Sequence, residues 1–233
     1  MRRTGGPAVV DPGLLHNSTS RRLTNTSSAV VPPAVVQAAA FNYGASPQNV
    51  AFGSPVTQGN LLIAAVGNDA FGVPTVTDSQ GNGWAVAVTE NPGSFFSVSL
   101  LWAKAGASSA DTLTVHTTNA AQSVAQIYEI SGVSSLTPVD VTGTSFSLSI
   151  VPCVGPNLSG LAGATDFVMY WAFHGSPGNA PVGGIWTSDY TALVAGGHFV
   201  GAAYADTGPT VTGPTIAPGT TGQFVCAAAA FHP

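Results

Sequence analysis

Short apolar runs separated by turn-forming residues fill the chain from residue 34 to its end. Leu61–Val66 is apolar at every position, which is typical of a strand covered on both faces. Along Ser97–Trp102 polar and apolar residues alternate at first, which predicts one wet face and one core face. Thirteen strands are predicted: Val35–Tyr43, Gly59–Gly67, Pro74–Asp78, Trp84–Glu90, Phe95–Lys104, Asp111–Thr117, Ser123–Ser131, Ser145–Val151, Asp166–Phe173, Ile185–Tyr190, Gly197–Asp206, Thr210–Ile216 and Gln223–Phe231.

The strand pattern repeats after about a hundred residues. Trp84 aligns with Trp186 and Trp102 with Tyr204, each 102 positions apart, and Gln122 aligns with Gln223, 101 positions apart. Each half also ends in a nearly uncharged strand. The spacing predicts an internal duplication.

Composition favours strands over helices throughout. Charged residues make up 6% of the chain, against roughly 25% in ordinary proteins, and Gly, Ser, Thr, Asn and Pro take their place. Helices need charged residues on their wet face, whereas these residues suit tight turns. We therefore predict an all-β protein: a two-sheet antiparallel β-sandwich, jelly-roll-like, with an extended N-terminal arm at residues 1–33.

The body, residues 34–233, is predicted as a single domain. Its halves are placed at about 34–133 and 164–233, joined by 134–163. Each half looks too short for a sizeable core of its own, so each is expected to contribute strands to both sheets.

Charge is distributed unevenly between arm and body. Residues 1–33 carry four arginines and one aspartate (4 − 1 = +3), and residues 34–233 carry one lysine and nine carboxylates (1 − 9 = −8). A basic arm can dock onto an acidic surface or onto another copy, or can simply be a solvated tail. The residues predicted to bind a partner are Arg2, Arg3, Leu14, Leu15, Arg21 and Arg22.

The polar residues form no recognised catalytic motif. His116, His174 and His198 lack metal-ligand spacing, and Gly175–Gly178 favours a turn over a nucleophile elbow. Glu129, within an apolar strand, is expected to face solvent at a sheet edge, the alternative being burial with a raised pKa. No enzyme activity, metal or cofactor is predicted.

The Asp78–Gly83 loop contains an Asn-Gly pair, which favours a hairpin turn over a calcium loop. Cys226 is predicted to be a small buried apolar residue, and whether it pairs with Cys153 stays open. Trp186 and Tyr190 either belong to the core or stack on a sugar ligand. The acidic body argues against nucleic acid, and no apolar stretch is long enough for a membrane span or a signal peptide.

Several stretches resemble a group of β-sandwich proteins of tailed bacteriophages. The resemblance covers roughly residues 40–233 and is carried by Gly59–Ala64, Thr77–Trp84, Glu129–Val133, Pro138–Asp140 and the closing Ala-Ala-Ala-Phe. It implies a capsid decoration protein, or alternatively a minor tail, fibre or adhesin-like protein. Such a protein would be made in the host cytoplasm and act at the virion surface. Its expected partners are the major capsid protein or other virion proteins, and further copies of itself, with a trimer as the expected assembly.

Overall fold

The computed structural model describes most of the body of the chain. The described residues are 31–93, 96–118, 122–133, 137–152, 154–162, 165–174, 181–182, 187–194, 198–207, 210–216 and 221–233. Nearly all the regular structure is antiparallel β, which confirms the predicted fold class. Among these residues no helix is long and apolar enough to span a membrane.

The first half of the body forms two antiparallel sheets. Its strands are β1 Ala34–Ala45, β2 Gln48–Ala51, β3 Leu61–Asn68, β4 Thr75–Asp78, β5 Ala85–Glu90, β6 Ser97–Lys104, β7 Thr112–His116 and β8 Gln122–Ser131. The larger sheet has the order β1-β8-β3-β6-β5 and the smaller has the order β2-β7-β4. All eight residues of β3 are buried, as its continuous apolar run predicts.

The second half repeats this arrangement. Its strands are β9 Val139–Pro152, β10 Leu158–Ser159, β11 Asp166–His174, β12 Pro181–Val182, β13 Thr187–Val194, β14 His198–Thr207, β15 Thr210–Val211, β16 Thr215–Ile216 and β17 Thr221–Phe231. The larger sheet, read from its β9 edge, has the order β9-β17-β11-β14-β13, and two short pairs, β10-β15 and β12-β16, lie beside it. The strand order of the first half's large sheet is therefore reproduced strand for strand, whereas its three-stranded small sheet is replaced by the two short pairs.

Strand register agrees with the alignment made from sequence. Trp102 pairs with Ile63, and Tyr204 pairs with the corresponding Met169. Both edge strands that follow the aligned tryptophans also carry a bulge at the same place. It falls between Val86 and Val88 in β5 and between Ser188 and Tyr190 in β13, again 102 positions apart.

Three apolar cores separate four layers. The central core lies between the two large sheets and contains Ile63 and Tyr128 from the first half and Met169 and Trp171 from the second. An outer core in each half lies between its large sheet and its small strands, as where Leu62 of β3 meets Leu113 of β7. The central strands β3 and β8 of one large sheet and β11 and β17 of the other therefore have both faces covered.

Two expectations about the sheets are wrong. Each large sheet is built from one half alone, because the small strands let each half close an outer core of its own. For the same reason β6 has no wet face: Ser97 and Ser99 are fully buried, and the Ser99 hydroxyl lies 2.8 Å from that of Thr89. The segment 134–163, expected as a joining segment, contributes β9 and β10 to the second half.

Candidate functional site

The arm is the site predicted from sequence, and its residues Arg2, Arg3, Leu14, Leu15, Arg21 and Arg22 lie outside the described residues. The described chain begins at Val31, whose side chain is 67% exposed. The backbone there runs against Gly132, where an added Cβ would lie 2.8 Å from the Pro32 carbonyl oxygen. Gly132 also has a φ of 75°, in the left-handed region that favours glycine. Residues 31 and 32, at the start of the described chain, therefore pack beside the end of β8.

The aromatic pair proposed for ligand stacking is only partly described. Trp186 lies outside the described residues, and Tyr190 is described through its backbone, which pairs with Ala202 in β14. The first half supplies a comparison, because Trp84 aligns with Trp186. Trp84 is half-buried and donates its indole N–H to Asp78 Oδ2 over 2.7 Å. Residues 175–185, which precede Trp186, contain no Asp or Glu, so the second half has no carboxylate in the segment before its tryptophan.

Glu129 is fully buried, so the prediction that it faces solvent at an edge is wrong. It lies on β8, which is flanked on both sides by β1 and β3. Its carboxylate accepts hydrogen bonds from Gln37 Nε2 at 2.6 Å, from the Thr57 backbone N–H at 2.7 Å and from Asn60 Nδ2 at 2.7 Å. These donors come from β1 and from the segment before β3, so the carboxylate joins three parts of the first half. Its counterpart, Ala230, is buried in an apolar core.

The Asp78–Gly83 loop does not close a hairpin, which corrects the sequence prediction. β4 pairs with β7 and β5 pairs with β6, so the loop carries the chain from the small sheet to the large one. Asp78 Oδ1 accepts from the backbone N–H groups of Gln80 and Asn82, and Oδ2 accepts from the side chains of Asn82 and Trp84. The carboxylate therefore binds groups of its own loop, as in a structural turn.

A second carboxylate, Asp111, lies against this loop and is only 2% exposed. It accepts a hydrogen bond from Ser79 Oγ at 3.0 Å and a long one from Asn82 Nδ2 at 3.4 Å. Burial raises the pKa of Asp111, the hydrogen bond from Ser79 opposes this rise, and the neighbouring charge of Asp78 adds to it. Among the described residues no three His, Cys, Asp or Glu side chains lie close enough to hold a metal ion.

Lys104 is the only basic residue of the body. Its ammonium donates to the carbonyl oxygens of Gly59 and Val133, both at 3.1 Å, and burial lowers its pKa. This cation therefore ties the end of β6 to the segment that leaves β8. The described part of the body presents no basic patch to a nucleic acid.

The remaining candidates are isolated residues. His116 ends β7 and is exposed, whereas Gly175–Gly178 lies outside the described residues. Cys226 is fully buried, as predicted, with its Sγ 3.0 Å from Ser145 Oγ. Cys153 lies outside the described residues, so its pairing with Cys226 stays open.

Comparison of the chain with protein-family models, with curated proteins and with solved structures finds no match. The resemblance to phage β-sandwich proteins therefore stays a prediction from sequence.

Proposed function

We propose that this chain is a non-enzymatic bacteriophage structural protein that decorates the capsid surface and is anchored to the shell by its N-terminal arm. The observation that carries the proposal is the separation of charge. Four arginines fall within the first 22 residues, whereas residues 34–233 carry a net charge of −8. The basic arm would therefore make the attachment to the shell, and the acidic body would form the part that projects from it.

The root of the arm supports this division. Val31 is exposed, and the backbone of Val31 and Pro32 is held against Gly132. An arm that starts from a fixed point can reach a neighbouring surface while the body keeps its orientation. Its arginines suit carboxylate-rich surfaces, because guanidinium groups bind carboxylates through paired hydrogen bonds.

The packing of the body is consistent with the same structural role. Four β layers with three cores form a solid body, and the carboxylates of the buried Glu129 and the partly buried Asp78 bind groups of the protein itself. A short charged arm binds weakly on its own. Several copies bound side by side on a symmetric lattice would gain affinity by acting together, which favours a homo-oligomer.

A second candidate function is a carbohydrate-binding module of a tail, fibre or adhesin. The observation that favours it is a difference between the aligned tryptophans: Trp84 has Asp78, six residues before it, as its acceptor, whereas residues 175–185 before Trp186 contain no Asp or Glu. An indole without that anchor is suited to stacking on a sugar ring. Glycan-array binding that is lost in Trp186→Ala and kept in Trp84→Phe would favour this candidate.

Locating the protein tests the first proposal. Mass spectrometry and imaging of purified particles of the phage that encodes this chain should find it on the head, at a copy number that follows the lattice symmetry. Finding it only on the tail would favour the second candidate, and its absence from particles would rule out both virion roles.

A further inference from the structure

The outer edge of the second large sheet displays large apolar side chains. In β9, Phe146 is 50% exposed, Leu148 is 43% exposed and Ile150 is 76% exposed. They alternate with Ser147 and Ser149. Single exposed apolar residues are common on protein surfaces, but a row of three on one edge strand indicates an interaction site.

The local backbone holds this row in place. Among the described strands, β9 pairs with β17 alone, and between Ser147 and Val151 it bulges opposite the single residue Gln223. Gln223 Nε2 donates to the Leu148 carbonyl oxygen over 2.8 Å, and the Ser147 hydroxyl accepts from the Ser149 N–H over 3.2 Å. The bulge is therefore held by its own hydrogen bonds, and it also discourages simple strand addition along this edge.

The first half shows that the fold does not need a large side chain at the position of Leu148. Ser123 and Phe224 occupy corresponding positions of β8 and β17, and they pair with Gly44 and Ser147. Leu148 therefore corresponds to Ala45, the last residue of β1. At this position the edge strand of the first half has the small residue Ala45, and the strand ends there. β9 instead has Leu148 and continues through Ile150.

We propose that Phe146, Leu148 and Ile150 form the contact between two copies of this chain. A two-fold axis near Leu148 would bring the exposed side chains of this bulge in one copy against those of the other, with Leu148 close to its own counterpart. The patch is also free of charge: residues 141–154 contain no Asp, Glu, Lys or Arg. A second copy thus meets no repulsion, and it presents the same row in return.

The size of the patch fits the centre of an interface. From the exposed fractions, these residues together with Val154 offer on the order of 400 Å² of surface per copy, about half of what one partner contributes to a standard interface. Serines and threonines along the strand would supply the polar rim.

The inference extends the homo-oligomer part of the proposed function, and it replaces the expected trimer with pairs of copies. Its test uses purified protein without particles, so its failure and a failure of particle attachment can be told apart. Sedimentation velocity of the full chain over a range of concentrations should show a dimer in equilibrium with a monomer. The double variant Leu148→Ser/Ile150→Ser should raise the dissociation constant of the dimer by about tenfold or more.

The matched control is Val86→Ser, which removes another exposed apolar side chain from an edge strand, β5, 47% exposed. It should leave the dissociation constant unchanged. A monomer at every concentration, or equal assembly by the double variant and the parent, would overturn the proposal.

Cross-linking tests the two-fold axis directly. In a Cys153→Ser background, Leu148→Cys should give a disulfide-linked dimer on mild oxidation, because residue 148 faces itself across the axis. Val86→Cys in the same background should stay monomeric on a non-reducing gel. Equal cross-linking of both variants, or none at residue 148, would count against this contact.

Discussion

At the scale of single residues, the buried carboxylate of Glu129 holds the first half together. It is fully buried and accepts hydrogen bonds from Gln37, Thr57 and Asn60, so it connects β1, the segment before β3 and β8. Burying a charge is costly unless hydrogen bonds compensate for the lost water, and here three donors do so. Its counterpart Ala230 shows that the other half closes the same position with apolar packing alone.

Replacing Glu129 by glutamine should destabilise the protein. An amide has one acceptor atom where the carboxylate has two, and its NH₂ group would face donors. We expect Glu129→Gln to lower the free energy of unfolding by about 1.5–3 kcal/mol, the usual range for hydrogen bonds to a charged group.

Chemical denaturation at neutral pH measures this loss. The matched control is Glu90→Gln, on the edge strand β5, which should change the free energy of unfolding by less than about 0.5 kcal/mol as surface substitutions do. Equal effects of the two substitutions would show that the hydrogen bonds of Glu129 add no more stability than a surface residue does.

Asp111 gives stability a defined dependence on pH. Burial raises its pKa in the folded protein, so the folded state binds this proton more readily than the unfolded chain does. Stability should therefore fall as pH rises from the unfolded pKa through the folded pKa, and the cost should stay constant above that. As pH rises across this window, the unfolding free energy of the parent should fall relative to that of Asp111→Asn. Chemical denaturation of both proteins from acid to neutral pH measures this difference. A difference that does not change with pH would contradict this account.

At the scale of elements, β3 of one large sheet and β11 of the other touch across the central core at Gly67 and Phe173. Gly67 and Phe173 occupy corresponding positions, since both strands align at an offset of 106 residues, as in Ile63 and Met169. A Cβ added to Gly67 would lie 2.8 Å from Phe173 Cδ2. The smallest residue of one half thus makes room for a large one of the other.

A methyl group at this point should therefore force the sheets apart. We expect Gly67→Ala to lower the free energy of unfolding by about 1–3 kcal/mol, the usual cost of overpacking a core. Adding Phe173→Leu should recover part of the loss, which a double-mutant cycle would show as coupling. Gly53→Ala is the control, because nothing lies within 4 Å of an added Cβ there. Additive effects of the two core substitutions would contradict the predicted contact.

The positions of the long strands and the duplication followed from the sequence pattern, because apolar runs and aromatic spacing survive in both halves. The short strands were missed or merged: β2 lies in the stretch between Pro47 and Pro55, which has the residues of a loop, and the predicted strand Thr210–Ile216 is two strands, β15 and β16. The connections between the sheets could not be predicted from this pattern. The Asp78–Gly83 loop has the residues of a hairpin turn, yet the same turn chemistry serves to cross between layers. Likewise, alternation in β6 and β9 looks alike in sequence, although β6 is covered on both faces and β9 lies at an edge.

The candidate sites were predictable to different degrees. The charge of the arm is visible in the sequence itself. Burial of Glu129 was not, since its donors Thr57 and Asn60 lie about 70 residues away along the chain and approach only after the sheet forms. The apolar row of β9 was visible as a pattern, but its exposure depends on which strand pairs with which.

At the scale of the whole molecule, two copies of one strand arrangement pack with their large sheets facing each other. The first copy uses the partly buried carboxylate of Asp78 and the buried carboxylates of Asp111 and Glu129, and the residue of the second copy that corresponds to Glu129 is the buried Ala230. The two halves have kept their strand order while their polar anchors have diverged. The second half also carries the exposed row on β9.

The central claim is that the body folds by itself and the arm attaches it. The most direct test compares residues 31–233 with the full chain, first in thermal unfolding and then in binding to purified capsids. We expect the two proteins to unfold within a few degrees of each other and only the full chain to bind the shell. A shortened chain that binds capsids as tightly as the full chain, or that fails to fold, would contradict the account.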